Sequence, residues 1–302
     1  MQLGMVGLGK MGANMTKRLL QGGHNIVATD LNAAAIAQAE QDGATGAKDL
    51  ADLVSKLDAP RAIWVMVPSG TPTENTVMQL AELVDEGDTI IDGGNSFYKD
   101  TVRRGERLQQ KGIHFVDVGT SGGVWGLKEG YSMMVGGDEA AVGRLTPILE
   151  TLAPAADKGW GRVGATGAGH FVKMVHNGIE YGMMQAFAEG FSIMKAKDEF
   201  ALDLADIARI WQHGSVIRSW LLDLIKDALD EDQEFDDIAA YVHDSGEGRW
   251  TVFEAIDLNV SAPIITEALI RRIRSREEDS YTDKLLAVMR NQFGGHAIKR
   301  EE

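Results

Sequence analysis

Leu3-Gly4-Met5-Val6-Gly7-Leu8-Gly9-Lys10-Met11-Gly12 is the stretch that decides how the first half of the chain is read. An apolar run of strand type leads straight into a GxGxxG pattern, and helical periodicity begins within it. In that setting Gly7 permits a tight turn, Gly9 lets a pyrophosphate approach the backbone, and Gly12 lets helix and strand pack closely. Leu8, Lys10 and Met11 complete the loop. Phosphates would rest on the helix N-terminus, where unpaired N–H groups and the helix dipole favour anions. A second strand then ends at Asp30, 18 residues past Gly12, where a carboxylate can accept hydrogen bonds from an adenosine ribose. Leu31-Asn32 follows, with no arginine, so a 2′-phosphate would meet a carboxylate without an adjacent cation. NAD is therefore expected in preference to NADP. The plain alternative is a glycine turn beside a chance surface aspartate; strand, helix and spacing together stand against it.

Working outward, Asn25 to Thr29, Ala62 to Val67, Thr89 to Ile91 and His114 to Val118 also read as strands. They alternate with helical stretches at Ala13 to Leu20, Ala33 to Gln41, Thr73 to Val84 and Thr101 to Gln110. Such alternation implies parallel strands with helical crossovers, a Rossmann-type doubly wound α/β sheet. Of the 35 glycines, 27 lie at or before Gly169 and eight follow, which suggests a boundary near Gly164. Gly159 to Gly169 reads as a hinge. The expected organisation is a dinucleotide-binding domain over residues 1–164 and an all-α domain over residues 165–302.

The 45 acidic side chains outnumber the 30 basic ones, for a formal net charge of −15. DNA, RNA and anionic membrane surfaces need a net positive face and are excluded as partners. Seven of the acids fall between Asp227 and Asp237, away from every motif singled out below. Zero cysteines exclude a disulfide framework, a thiolate nucleophile and a thiolate metal site. A reducing, cytoplasmic location fits. Met1 and Gln2 run directly into the first strand without a basic leader, and no apolar run approaches the ~18 residues of a membrane span.

From Val163 to Met194 the only charged residues are Lys173, Glu180 and Glu189, so a helix there should be largely buried. Yet Lys173, His176, Asn177, Glu180 and Tyr181 recur at offsets of 0, 3, 4, 7 and 8, on one helix face. A solvated face normally carries several flexible charges, not one lysine, one glutamate and a His-Asn pair. Burial disfavours an ammonium, so this lysine can act as a base near neutral pH, with Glu180 two turns on as a second proton-transfer group. Two strand-end loops also fit a site. Ile91-Asp92-Gly93-Gly94-Asn95-Ser96 sits where open α/β sheets bind ligands, and Thr120-Ser121-Gly122-Gly123 offers backbone N–H groups for an anion nest. Either loop is equally readable as a tight turn. Asp117 reads as the end of its strand.

Together with Gly167-Ala168-Gly169-His170-Phe171-Val172-Lys173-Met174-Val175-His176-Asn177-Gly178-Ile179-Glu180-Tyr181, these motifs resemble the decarboxylating 6-phosphogluconate dehydrogenases of the β-hydroxyacid dehydrogenase superfamily. The likeness spans nearly the whole chain, in a short form lacking a duplicated half of the helical domain. It implies NAD(P)-dependent oxidation at C3 of 6-phosphogluconate, with Lys173 taking the hydroxyl proton and no metal. Lys173 then protonates the carbonyl oxygen as CO2 leaves, and Glu180 protonates C1 to give ribulose 5-phosphate. It further implies that Asn95, Ser121, Gly122, Gly123, His176 and Asn177 hold the sugar acid, and that Tyr181 and Arg272 contact its phosphate. Arg290 and His296, in Arg290-Asn291-Gln292-Phe293-Gly294-Gly295-His296, would reach a partner subunit's site in a homo-oligomer, dimer or tetramer. Asp30, Leu31, Val67, Pro68 and Asn95 would complete the cofactor contacts.

The chain departs from the family pattern at Asp244-Ser245-Gly246-Glu247-Gly248-Arg249-Trp250, where a phosphate-binding lysine and threonine have no clear match and Arg249 is a candidate to replace them. Asp30-Leu31-Asn32 replaces the NADP-type residues, and Met66-Val67-Pro68-Ser69 differs from the usual nicotinamide-side loop. Arg271, Arg272, Arg274 and Arg276 otherwise read as a solvated basic face, a description expected to hold for at least two of them. Two other functions compete. A non-decarboxylating 3-hydroxyacid dehydrogenase of 3-hydroxyisobutyrate type shares the fingerprint and the lysine, but not the His176-to-Tyr181 run or the Arg290/His296 tail. A non-catalytic NAD-binding regulator needs neither Lys173 nor Glu180.

Overall fold

The structure, a computed structural model, describes residues 1–294 and 297–300. Its strands are β1 (Gln2–Val6), β2 (Asn25–Thr29), β3 (Thr45–Gly46), β4 (Ala62–Val65), β5 (Thr89–Asp92), β6 (His114–Ser121), β7 (Ser132–Gly136) and β8 (Trp160–Gly164). Between them run α1 (Lys10–Gln21), α2 (Ala33–Gln41), α3 (Leu50–Ser55), α4 (Thr71–Leu80), α5 (Tyr98–Gln109), α6 (Gly126–Glu129), α7 (Glu139–Arg144) and α8 (Thr146–Leu152). After β8 come α9 (Ala168–Lys195), α10 (Leu204–Trp211), α11 (Trp220–Glu231), α12 (Glu247–Asp257), α13 (Pro263–Arg274) and α14 (Tyr281–Gly294).

All eight strands join one sheet in the order β3-β2-β1-β4-β5-β6-β7-β8. The first six pair in parallel, as the alternating sequence requires. Side chains alternate between the two faces, and both faces are covered. Leu3, Met5, Trp64, Ile91 and Val116 join one buried cluster, while Val6, Ile63, Val65, Ile90 and Phe115 join the other. Fully burying an apolar side chain such as Ile63 or Leu80 contributes about 1.5–3 kcal/mol each, so strands buried on both sides read as near-continuous apolar runs.

Two features depart from the sequence reading. β7 pairs antiparallel to β6, with Ser121 opposite Ser132. The glycine-rich segment read as a hinge is in part a strand, β8, which pairs with β7 from Met133↔Trp160 onward. There the glycines alternate with Trp160, Arg162 and Val163 and leave the backbone free to pair at the sheet edge.

Two compact units divide between Asn177 and Gly178. Among the described residues, the second unit contains helices and a 3-10 turn and no strand. Phe191, Leu204, Ala208, Leu222 and Leu229 form one of its cores, and Tyr181, Val252, Ala268 and Leu269 another. Part of the α9 sequence expected to be buried is instead open: Ile179, Met183 and Met184 are each more than a third exposed. No helix among the described residues is long and apolar enough to cross a membrane.

Candidate active site

The dinucleotide loop lies where β1 and β4 diverge, the point at which strand order reverses and open α/β sheets take ligands. Gly7 has φ +96°, a conformation that disfavours side chains, and a Cβ there would lie 2.4 Å from the Met66 carbonyl oxygen. A Cβ on Gly12 would lie 2.0 Å from the Gly7 carbonyl oxygen. Strand, turn and helix therefore close on one another only with glycine at both positions. Helices α2, α3 and α7 are capped by Asn32, Asp49 and Asp138, whereas α1 starts at Gly9 with no side-chain cap. Its first-turn N–H groups remain available for an anion.

A cleft of about 920 Å³ opens beside this loop, walled by Gly7, Gly9, Asp30, Leu31, Val67 and Pro68, among others. A volume of that order suits a dinucleotide-sized ligand. Asp30 is fixed by two backbone donors: Leu8 N to Oδ2 at 2.6 Å and Asn32 N to Oδ1 at 2.7 Å. Leu31 is wholly exposed beside it. Lys10 is exposed, and Met11 is partly buried against the sheet core. The sequence reading missed Lys48, an exposed lysine on the cleft wall that follows β3. A two-residue strand carries too little pattern to announce it.

The Asp92-to-Ser96 loop follows β5. Asp92 is fully buried and accepts from Gly94 N at 3.2 Å and Ser96 Oγ at 2.7 Å, with Arg104 Nη1 at 3.4 Å. Arg104 in turn donates to Glu74 at 2.8 Å, and Arg103 and Arg107 converge on the same carboxylate. Burial alone would raise Glu74, but hydrogen bonds from Arg104 and Arg103 outweigh it and hold the carboxyl below its usual range. Asn95 is exposed on this braced loop and is not among the walls of the cofactor cleft. Ser121 ends β6, and Gly122 and Gly123 follow it with φ +129° and +51°, a loop backbone that disfavours side chains at both positions.

Lys173 lies on α9 and is 6% exposed. Its Nζ donates to Asn177 Oδ1 at 2.7 Å and lies 3.4 Å from His176 Nδ1, which is 3.1 Å from Asn177 Oδ1. The i, i+3, i+4 spacing thus brings three polar groups together on an otherwise apolar helix. Glu180, farther along α9 in the second unit, is partly buried.

Within the second unit, Tyr181 is 5% exposed, and its hydroxyl accepts from Ser245 N at 3.1 Å. The Arg272 guanidinium stacks 3.5 Å from the Tyr181 ring centroid and donates to the His243 carbonyl at 3.0 Å. Arg249 is not poised as a substitute for the missing loop residues. Its guanidinium forks onto Asp244 with two 3.0 Å bonds, and Arg276 adds a third at 2.9 Å. Arg249, followed by Arg276, holds the Asp244 carboxyl below its usual range. Arg274 pairs with Glu277 and Asp283 on the surface, and Arg271 is exposed. Arg290 is exposed on α14, and His296 lies outside the described residues. Among the described residues there is no cluster of side chains suited to a metal ion.

Residues 2–164 match the family profile described as the NAD binding domain of 6-phosphogluconate dehydrogenase, and residues 169–302 match the 6-phosphogluconate dehydrogenase C-terminal domain. A Haloferax volcanii protein named 6-phosphogluconate dehydrogenase, NAD(+)-dependent, decarboxylating, is 42% identical over the full length of both chains. The Plasmodium falciparum 6-phosphogluconate dehydrogenase structure aligns with a TM-score of 0.84 and 26% identity, over 100% of this chain and 67% of that one. A Mycobacterium tuberculosis 3-hydroxyisobutyrate dehydrogenase aligns at TM-score 0.71 over 88% of this chain and 90% of its own, but its 21% identity speaks for the fold alone. With both halves matched and a full-length relative at this identity, the chain belongs to the 6-phosphogluconate dehydrogenase family.

Proposed function

We propose that this protein oxidises 6-phosphogluconate at C3 and decarboxylates it to ribulose 5-phosphate and CO2, with NAD as the preferred hydride acceptor. The observation that carries the reading is the buried Lys173 with Asn177 and His176 at its Nζ. The cleft beside the uncapped start of α1 suits the cofactor, which when bound supplies the hydride acceptor. Lys173, as the amine, removes the C3 hydroxyl proton while hydride leaves C3, giving a 3-keto acid. Its ammonium returns a proton to that carbonyl oxygen as the substrate's C1–C2 bond breaks and CO2 departs; Glu180 then protonates C1 of the enediol, the former C2, while the Lys173 amine takes the proton back from the enol oxygen to leave the ketone. The keto group is itself the electron sink, so the residues named need only move protons and hold the acid. Asn177 and His176 orient Nζ, Asn95 and the Ser121-Gly122-Gly123 loop hold the sugar acid, and Tyr181 and Arg272 take the phosphate.

Preference for NAD rests on Asp30, whose carboxylate repels a 2′-phosphate. Lys48 in the same cleft makes the preference one of degree. The exposed apolar residues of the second unit support a homo-oligomer, with Arg290 and His296 serving a partner's site. Purified protein mixed with 6-phosphogluconate and either NAD or NADP should give reduced cofactor and CO2 in equal amounts, faster with NAD. Reduction without CO2 would instead favour a 3-hydroxyacid dehydrogenase. Lys173→Ala should abolish turnover while NAD still binds.

A further inference from the structure

We propose that Asp117 is a positioning residue that holds Lys173 in place through the first turn of α9. The inference rests on the reading of Lys173 as the proton-transfer group. Asp117 lies on β6 and is fully buried. Its Oδ1 accepts from Gly167 N at 2.6 Å and its Oδ2 from His170 N at 2.8 Å. Taking a carboxylate out of water costs several kcal/mol unless it is compensated. Here the compensation is backbone N–H at the positive end of a 28-residue helix, with His170 Nδ1 4.0 Å away and itself bonded to Thr101 Oγ1 at 2.7 Å.

The neighbouring strand sharpens the point. Asp92 sits opposite Asp117 in register and is equally buried, but it is satisfied by Arg104, Ser96 and Gly94. The two carboxylates therefore have separate partners: Asp92 organises the loop bearing Asn95, and Asp117 holds the helix bearing Lys173. Burial pushes the Asp117 carboxyl up, while His170 and the two amides oppose that push.

The clamp acts at short range. Lys173 is one turn beyond His170, and at Gly119, two residues along β6 from Asp117, a Cβ would lie 2.3 Å from Lys173 Cβ. On the helix side, a Cβ at Gly169 would lie 2.7 Å from the Asp117 carbonyl oxygen and 2.5 Å from that of Met134. Helix and strand thus touch backbone to backbone at the point Asp117 fastens, and a shift of the first turn moves the lysine with it.

Asp117→Asn keeps the side-chain shape but turns an amide NH2 toward one of the two backbone donors. The expected result is a fall in kcat of roughly 10²-fold, the scale set by about 1 Å of misplacement. KM for 6-phosphogluconate should change less than threefold, and the NAD dissociation constant should stay the same, because the cofactor cleft lies at β1, β2 and β4. A cap serving only stability would lower Tm and leave kcat intact. Lys173→Ala, assayed alongside, separates the two ideas. If it keeps turnover, the reading of Lys173 fails; if it loses turnover while folded Asp117→Asn keeps kcat within twofold, the positioning role is overturned. Should Asp117→Asn not fold, residue-resolved hydrogen exchange on the unaltered enzyme decides. The Gly167 and His170 amides should exchange as slowly as those of β6, and exchange at the rate of an exposed loop would refute the clamp.

Discussion

Replacing Gly119 by alanine places one methyl group between β6 and α9. The new Cβ would lie 2.3 Å from Lys173 Cβ and 2.6 Å from the Gly169 carbonyl oxygen, against 3.4 Å or more in ordinary contact. Neither neighbour is the free end of a flexible side chain, so helix and strand must part by about 1 Å, an overpacking that costs about 1–3 kcal/mol. Folding should survive this, with Tm lowered by several degrees. Catalysis should not, because about 1 Å of displacement at a proton-transfer group is worth roughly 10²-fold in kcat, equivalent to about 2.7 kcal/mol of barrier. The assay is steady-state turnover of 6-phosphogluconate with NAD, paired with a thermal melt and an NAD titration. NAD affinity should be unchanged, since Gly119 is remote in sheet order from β1 and β2. A folded Gly119→Ala enzyme with kcat within twofold of the parent would show that the close approach does not set the lysine's position.

Other outcomes follow from the same geometry. Asp30→Ser should raise NADP use relative to NAD, measured as the ratio of kcat/KM values; an unchanged ratio would remove Asp30 from cofactor selection. The Asp244 carboxyl, held low by Arg249 and then Arg276, stabilises the fold above about pH 4, and that contribution fades as pH falls through its depressed folded value. Asp244→Asn should therefore cost about 1–3 kcal/mol at pH 7, with the gap in Tm from the parent closing toward pH 3. A gap independent of pH would refute the ion-pair account. Mixing Lys173→Ala with Arg290→Ala subunits should restore part of the activity through hybrid oligomers, and failure despite proven subunit exchange would count against a tail acting in trans.

The parts legible in the sequence were those whose partners lie close along the chain. Gly7, Gly9 and Gly12 with Asp30 announced the turn, the uncapped helix and the cleft, because each acts within one βαβ unit. The polar stripe on α9 was legible because Lys173, His176 and Asn177 meet at helical spacing. Asp117 was not, because its partners are backbone amides of Gly167 and His170, roughly 50 residues on and without side-chain identity to signal them. β7 was missed because Ser132-Met133-Met134-Val135-Gly136 joins β6 through a 3-10 turn and a short helix and not through a hairpin turn. Arg249 illustrates the converse: its residue type suited a phosphate, but Asp244, five residues earlier, already engages the Nε/Nη2 edge of its guanidinium.

Asp30 serves two ends at once, and this restricts how the enzyme's redox partner can be changed. The carboxylate proposed to screen the adenosine end of the cleft also fastens Leu8 N, within the glycine turn, and Asn32 N, at the start of α2. Redesign toward NADP that strips the acceptor from position 30 would loosen the very loop meant to hold the pyrophosphate. A workable route keeps a hydrogen-bond acceptor there and adds positive charge at solvent-facing Leu31, where nothing in the fold resists a longer side chain. Drift in cofactor choice among related sequences should follow that same order, with the neighbour changing before the aspartate.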